Sequence, residues 1–212
     1  MTNKHLASQL SQFGSASIYE AQGAIGALDS GIKPLCPSMR LSGPAFTVEI
    51  RPGDNLMLHY ALLHTRPGDV LVVDAKGFIE AGPWGDILTE QAISKGVAGL
   101  IINGSVRDAQ AIKTLGFPVF CRGLSIKSTA KKQPGKVNAS ICIGDTAIQP
   151  GDYMFGDEDG VVAVPQQHLA AVLEATVKRE NAEASYREEI KKGRSTVELL
   201  GLQDTLRHLN LT

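Results

Sequence analysis

Apolar and polar positions along this chain fall into two periodicities, and the switch between them marks its elements. Residues 3–13 and 15–27 have the spacing of short amphipathic helices, with Ser15 as a candidate cap for the second. Pro34, Pro37 and the Gly43-Pro44 pair then break the chain. Residues 45–51 alternate like a strand, and Asn55 to Thr65 predicts a helix closed by Pro67-Gly68. Val70 to Asp74 is a continuous apolar run, the pattern of a strand covered on both faces. A helix from Asp86 to Lys95, stopped by Gly96, leads to a second buried strand over Val97 to Asn103. A helix from Asp108 to Leu115, stopped by Gly116, leads to a third strand over Pro118 to Cys121. This series predicts right-handed crossovers and a largely parallel sheet, hence an α/β fold. Beyond Arg122 the apolar runs shorten. Asn138–Ile143, Ala147-Ile148, Tyr153–Phe155 and Val161–Val164, separated by Gly-Asp turns, predict an antiparallel meander. A polar helix over 166–192 and a last helix around 195–206 complete the expectation. Pro-Gly-Asp recurs at 52–54, 67–69 and 150–152, but the flanks differ, so these are three similar turns and not a repeat.

Composition narrows the function. With 21 Lys+Arg against 22 Asp+Glu, the net charge of −1 argues against a nucleic-acid binder, which shows a basic excess. An apolar content of 43% over 212 residues suits one folded domain. No apolar run reaches the roughly 18 residues a membrane span needs. The first residues, Met-Thr-Asn-Lys-His, lack an apolar signal core, so a cytoplasmic location is expected. Cys36, Cys121 and Cys142 form no CxxC pair; Cys121 and Cys142 lie in apolar runs and read as buried small hydrophobes. The five histidines show no metal-ligand clustering and read as structural or surface residues.

Two strand-to-helix loops have the geometry at which α/β folds gather ligands. The first is Glu80-Ala81-Gly82-Pro83-Trp84-Gly85-Asp86-Ile87-Leu88. Its glycines admit close backbone approach, Asp86 is typed as an N-cap, and the amides of Ile87 and Leu88 would stand free at a positive helix end that suits a carboxylate. The same spacing also describes a plain capped loop. The second is Asn103-Gly104-Ser105-Val106-Arg107-Asp108. Arginine holds a carboxylate or enolate in bidentate fashion, and aspartate gives Mg²⁺ or Mn²⁺ a hard oxygen. On adjacent strands the two loops would bring Asp86, Arg107 and Asp108 into one pocket, a combination suited to aldol cleavage or β-keto acid decarboxylation. Gly156 to Gly160 reads as a tight acidic turn and not a Ca²⁺ loop. Lys127, Lys131, Lys132 and Lys136 read as a solvated basic stretch, and Lys76 and Lys113 are weak candidates for a Schiff base. GxGxxG, GxxxxGK[ST], GxSxG and HExxH are all missing from the sequence.

Gly85-Asp86, twenty residues, then Arg107-Asp108 resembles the signature of the RraA-like proteins, which include class II 4-hydroxy-4-methyl-2-oxoglutarate / 4-carboxy-4-hydroxy-2-oxoadipate aldolases. Tyr19 to Gly23, Pro52 to Asn55, Gly68 to Asp74, Gly96 to Gly99, Phe120 to Gly123, Pro150 to Asp152 and Asp157 to Pro165 are similar to further blocks of that family, in order. The resemblance implies one RraA-like domain over residues 1–212, with 166–212 as a helical extension and a swivelling phosphohistidine-domain type of α/β fold. It implies a homo-trimer or hexamer with sites between subunits, Mg²⁺ or Mn²⁺, a small anionic 2-oxo acid substrate, and neither nucleic acid nor membrane as partner. By the same resemblance Asp108 would bind the metal, Arg107 would hold the keto acid and its enolate, and Asp86 would orient a water. Gly85 and the Ile87 and Leu88 amides would take the pyruvyl carboxylate. A glutamate from a neighbouring subunit is implied too. Glu180 or Glu183 matches it and Glu20 is a further position, although a solvated helix face accounts for two of the three. The activity implied is retro-aldol cleavage of 4-hydroxy-2-oxo acids to pyruvate, with oxaloacetate decarboxylation beside it. The family's other branch inhibits an RNA-degrading endonuclease by binding it, and the signature is shared by both branches.

Overall fold

The computed structural model describes residues 2–211. Its centre is a parallel run of four strands: β2 (Leu41–Glu49), β3 (Val70–Asp74), β4 (Gly99–Val106) and β5 (Val119–Leu124). The helices α3 (Leu56–Leu62), α4 (Asp86–Ser94) and α5 (Ala109–Leu115) connect them in turn. Every residue of β3 and β4 is buried, as strands covered on both faces must be. Alternate β3 residues serve two cores: Leu71 and Val73 pack with Leu58, Leu88 and Ile112 of the helices, while Val70 and Val72 face Ile101, Phe120 and Met154.

The sheet is mixed. β1 (Lys33–Pro34) pairs antiparallel with β5, and the first half of β2 pairs antiparallel with β9 (Tyr153–Gly156), which pairs with β10 (Val161–Val164). β6 (Lys136–Val137) pairs with the end of β2. Ala27 bridges to Val162, so the segment before β1 joins the far edges and the sheet curls into a near-barrel. The stretch expected as one meander is two hairpins. Among the described residues β7 (Ile141–Ile143) pairs only with β8 (Thr146–Ile148), in a separate two-stranded sheet, while β9 and β10 join the main sheet through β2. Cys142 corrects another expectation. It is exposed, since Ile141 and Ile143 on either side of it point inward. Cys121 is buried, and burial pushes its thiol up to about 11.

A third core joins α1 (Asn3–Leu10), α2 (Ser15–Ala21) and the start of α6 (Leu169–Lys191) to β9 and β10 through Leu10, Ile18, Val164 and Leu169. Helix α2 stops at Ala21, short of the expected 27, because Gly23, Ala24 and Gly26 all take positive φ. Its first amide and hydroxyl, on Ser15, are held by Asp157 at 2.7 and 2.6 Å, which gives the acidic turn a structural task. Thr176 is the last buried residue of α6; past its polar contacts with α2 the helix is sustained by ion pairs one turn apart, such as Arg187–Glu183 and Lys191–Glu188. The last expected helix divides at Gly201, φ +65, into α7 (Thr196–Leu199) and α8 (Gln203–His208). No described helix is long and apolar enough to cross a membrane.

Candidate functional site

The two loops singled out in the sequence meet at the carboxyl ends of β3 and β4. Gly85, in extended conformation, is the N-cap of α4, one residue earlier than the expected cap at Asp86, and Asp86 is its first helical residue. The reason lies in Thr89, whose amide and hydroxyl both donate to the Gly85 carbonyl, at 3.1 and 2.9 Å. The Thr89 hydroxyl also accepts from the indole of fully buried Trp84 at 2.7 Å, which anchors the loop. Trp84's carbonyl in turn accepts from the Arg107 amide at 2.8 Å, tying the first loop to the second.

Asp108 ends the second loop in the left-handed region, at φ 56 and ψ 35. An aspartate at a helix start ordinarily caps that helix. Here the side chain makes no cap to α5. It reaches across to α4, where Oδ2 accepts from the Asp86 amide at 3.4 Å and lies 3.3 Å from Arg107 Nε. Two glycines make room for this crossing. A Cβ on Gly85 would lie under 3.0 Å from Asp108 Oδ2 and 3.2 Å from Arg107 Cγ. One on Gly82 would lie 2.9 Å from Arg107 Cβ and closer still to the Ser125 carbonyl oxygen. Of the two amides expected to stand free, that of Ile87 donates to Asp86 Oδ1 at 2.7 Å.

A recess of about 250 Å³ opens over this junction, with Gly85, Asp86, Ile87, Leu88 and Arg107 on one side. Its opposite wall was not legible in the sequence. It consists of Asn55 and His59 from α3, and Ser128, Thr129 and Lys131 from the basic stretch, which is a pocket wall and not simply solvated. Asn55 Nδ2 donates to the Pro83 carbonyl at 2.9 Å, but Asn55 Oδ1 and His59 Nε2 are buried with no partner among the described residues. Burial, then the Lys131 charge, lowers the His59 pKa, so the ring is neutral near pH 7. Asn55 is the N-cap of α3 and His59 lies one turn on, so the two reach the recess from the same end of that helix. Arg107 also borders a second recess of about 320 Å³, with Asp108 and Ile126.

Glu20, Glu180 and Glu183 do not line the recess. Arg179 joins Glu20 and Glu183, each at 2.6 Å, and the Ser17 hydroxyl donates to Glu180. The structure thus gathers these glutamates between α2 and α6, apart from Asp86, Arg107 and Asp108 of the same chain. Lys76 is held by Asp74 and Glu49, at 2.6 and 2.8 Å, and does not reach the recess.

Known proteins resemble this chain over most of its length. A family profile described as RraA-like: Aldolase/RraA matches residues 15–163. A protein of Halalkalibacterium halodurans, provisionally named 4-hydroxy-4-methyl-2-oxoglutarate aldolase, is 39% identical over 163 residues, covering 77% of this chain and 78% of its own. An uncharacterised protein from Pseudomonas syringae pv. tomato superposes with a TM-score of 0.83 at 31% identity, over 92% of both chains. RraAS2 of Streptomyces coelicolor, described as an unusual member of the RNase ES inhibitor RraA family, superposes with a TM-score of 0.78 at 29% identity, over 87% of this chain and 98% of that one.

Proposed function

Because the chain belongs to the RraA-like family, we propose that it is a divalent-metal-dependent lyase that cleaves 4-hydroxy-2-oxo acids to pyruvate and decarboxylates oxaloacetate. The observation that carries this reading is the Asp108 carboxylate, turned away from its own helix and set beside Arg107 at the amino end of α4. An aspartate used only for capping has no reason to cross between helices.

The donors fit Mg²⁺ or Mn²⁺. Asp108 offers a partly exposed hard oxygen beside the Asp86 backbone amide, and such ions bind through one or two carboxylates with water in the remaining positions. When bound, the ion supplies Lewis acidity toward the 2-oxo group. The chain's own residues do the rest. The substrate carboxylate lies against the amino end of α4, beside Ile87 and Leu88. The Ile87 amide joins only when Asp86 Oδ1 releases it, so substrate arrival frees the Asp86 carboxylate. That carboxylate holds the water that takes the C4 hydroxyl proton. The C3–C4 bond then breaks, its electron pair passes into the enolate of pyruvate, and a carbonyl product departs. Arg107 holds the enolate oxygen by charge-assisted hydrogen bonds until C3 is protonated. In oxaloacetate the same bond breaks with loss of CO₂. A homo-trimer or hexamer would let Glu20 or Glu183 of one copy approach the recess of another.

The test is pyruvate release from oxaloacetate and from 4-hydroxy-4-methyl-2-oxoglutarate, with Mg²⁺ and with EDTA. Turnover that EDTA abolishes and Mg²⁺ or Mn²⁺ restores is expected. The likeness to RraAS2 supports a second reading, a non-catalytic regulator that binds an RNA-degrading endonuclease. Failure of every 4-hydroxy-2-oxo acid to turn over would transfer the assignment to it.

A further inference from the structure

The wall of the recess facing Arg107 comes from two segments distant in sequence, and one buried side chain joins them. Asp54, 2% exposed, accepts from the Leu56 amide through Oδ1 at 2.9 Å, which fixes the start of α3 and hence Asn55 and His59. Its Oδ2 accepts from the Lys132 and Gln133 amides, at 2.7 and 3.1 Å, which fixes the basic stretch 127–133. Backbone bonds Ala130 to Gly53 and Asn55 to Ala130 complete the clasp, at 2.9 and 3.0 Å. Burial opposes the charge on Asp54, yet its three backbone donors, with Lys131 nearby, hold the carboxyl below its ordinary value. The wall so assembled carries the Lys131 cation and the bare acceptor Asn55 Oδ1, a buried atom left without a partner unless a ligand supplies one.

We infer that Asp54 is a positioning residue: by clasping segment 127–133 to α3 it sets Lys131 over the recess, where it binds a carboxylate at the distal end of the substrate, opposite the 2-oxo acid end held by Arg107. This rests on the lyase reading for the placement of the 2-oxo acid end and deepens it. Asparagine at 54 cannot serve. With its oxygen toward Leu56, its amide nitrogen faces two N–H donors; flipped, it loses the Leu56 bond.

The experiment is calorimetric titration of the intact protein with Mg²⁺ and two probes, pyruvate and 2-oxoglutarate, the second longer by a carboxymethyl group that carries the distal carboxylate. The wild type should prefer 2-oxoglutarate. Asp54→Asn should cut 2-oxoglutarate affinity about tenfold or more while leaving pyruvate affinity within about twofold, and Lys131→Gln, which leaves the clasp intact, should do the same. Faster hydrogen exchange of the Lys132 and Gln133 amides in Asp54→Asn should accompany the loss, without change in Lys131→Gln. Equal losses for both probes, or an unchanged preference in Lys131→Gln, overturns the inference. Metal-dependent turnover with no preference for the longer acid overturns it too, and leaves the lyase reading standing. No binding of either probe together with no turnover removes both.

Discussion

Gly85→Ala separates the fold from the site. The backbone at Gly85, φ −146 and ψ −163, is ordinary extended chain, so alanine introduces no conformational strain. The added methyl group meets Asp108 Oδ2 well inside 3.0 Å, whereas ordinary contact begins at 3.4 Å. The carboxylate must therefore retreat by about 1 Å, and a misplacement of that size in catalytic machinery costs about 10²-fold in rate. Arg107 Cγ and Nε, both at 3.2 Å, need give only slightly. The atoms that move are side-chain ends, and alanine restricts the unfolded chain by about 0.4–1 kcal/mol relative to glycine. Stability should thus change by less than about 1 kcal/mol, a few degrees in Tm. The assay is kcat/KM for oxaloacetate decarboxylation across a Mg²⁺ series, beside a thermal melt. Gly82→Ala is the control of opposite sign. Its methyl group meets the Ser125 backbone carbonyl, which cannot swing aside, so about 1–3 kcal/mol of stability should be lost. A Gly85→Ala protein with native Tm and kcat/KM within about threefold of wild type would show that the Asp108 position does not matter, and the reasoning would fail.

Three further outcomes follow from the geometry. Arg107→Ala and Asp108→Ala should each lower kcat/KM by about 10²-fold or more with far-ultraviolet dichroism unchanged, since both side chains are partly exposed and hold no core together; near-normal rates would refute their roles. Thr89→Val should cost about 1–3 kcal/mol in denaturant unfolding, because it strands the indole N–H of buried Trp84. Asp54, whose folded pKa lies below its ordinary 3.8, contributes stability that is complete above that value and fades as pH falls through the lower folded value. The difference in unfolding midpoint between wild type and Asp54→Asn should therefore shrink below about pH 4 and stay constant above about pH 5.

What was legible in the sequence was local or periodic. Val70 to Asp74 announced a doubly covered strand because parallel pairing on both edges demands apolar residues at consecutive positions, and every one is buried. Gly85-Asp86 and Arg107-Asp108 could be placed together because each opens the helix after a neighbouring parallel strand. The opposite wall could not. Asp54 reaches residues 78 and 79 positions away, a pairing that leaves no periodic trace. The N-cap moved from Asp86 to Gly85 because Thr89, a tertiary partner of Trp84, decides where the first helical bonds form. The extra helical turns expected after Ala21 failed because positive φ at Gly23, Ala24 and Gly26 won over apolar spacing, a choice of backbone region that hydropathy does not record.

The placement of energetic costs bears on whether this chain is an enzyme or a regulator. A left-handed aspartate costs a fraction of a kcal/mol to about 1–3 kcal/mol, and each buried polar atom without a partner costs about 1–3 kcal/mol. Asn55 Oδ1 and His59 Nε2 bring two such costs to the 250 Å³ recess, and Asp108 brings a third to the adjoining recess that shares Arg107 with it. A surface that binds another protein derives its affinity from apolar anchors and a polar rim, and gains nothing from bare acceptors at the bottom of a 250 Å³ recess. A small polar ligand gains directly, because it finds the hydrogen-bonding groups desolvated and already oriented. The regulator reading therefore places its determinants on the outer faces, where changes at Asn55, His59 and Asp108 would leave partner binding intact. The lyase reading makes turnover sensitive to all three positions, and a binding assay run beside a turnover assay on the same variants separates the two.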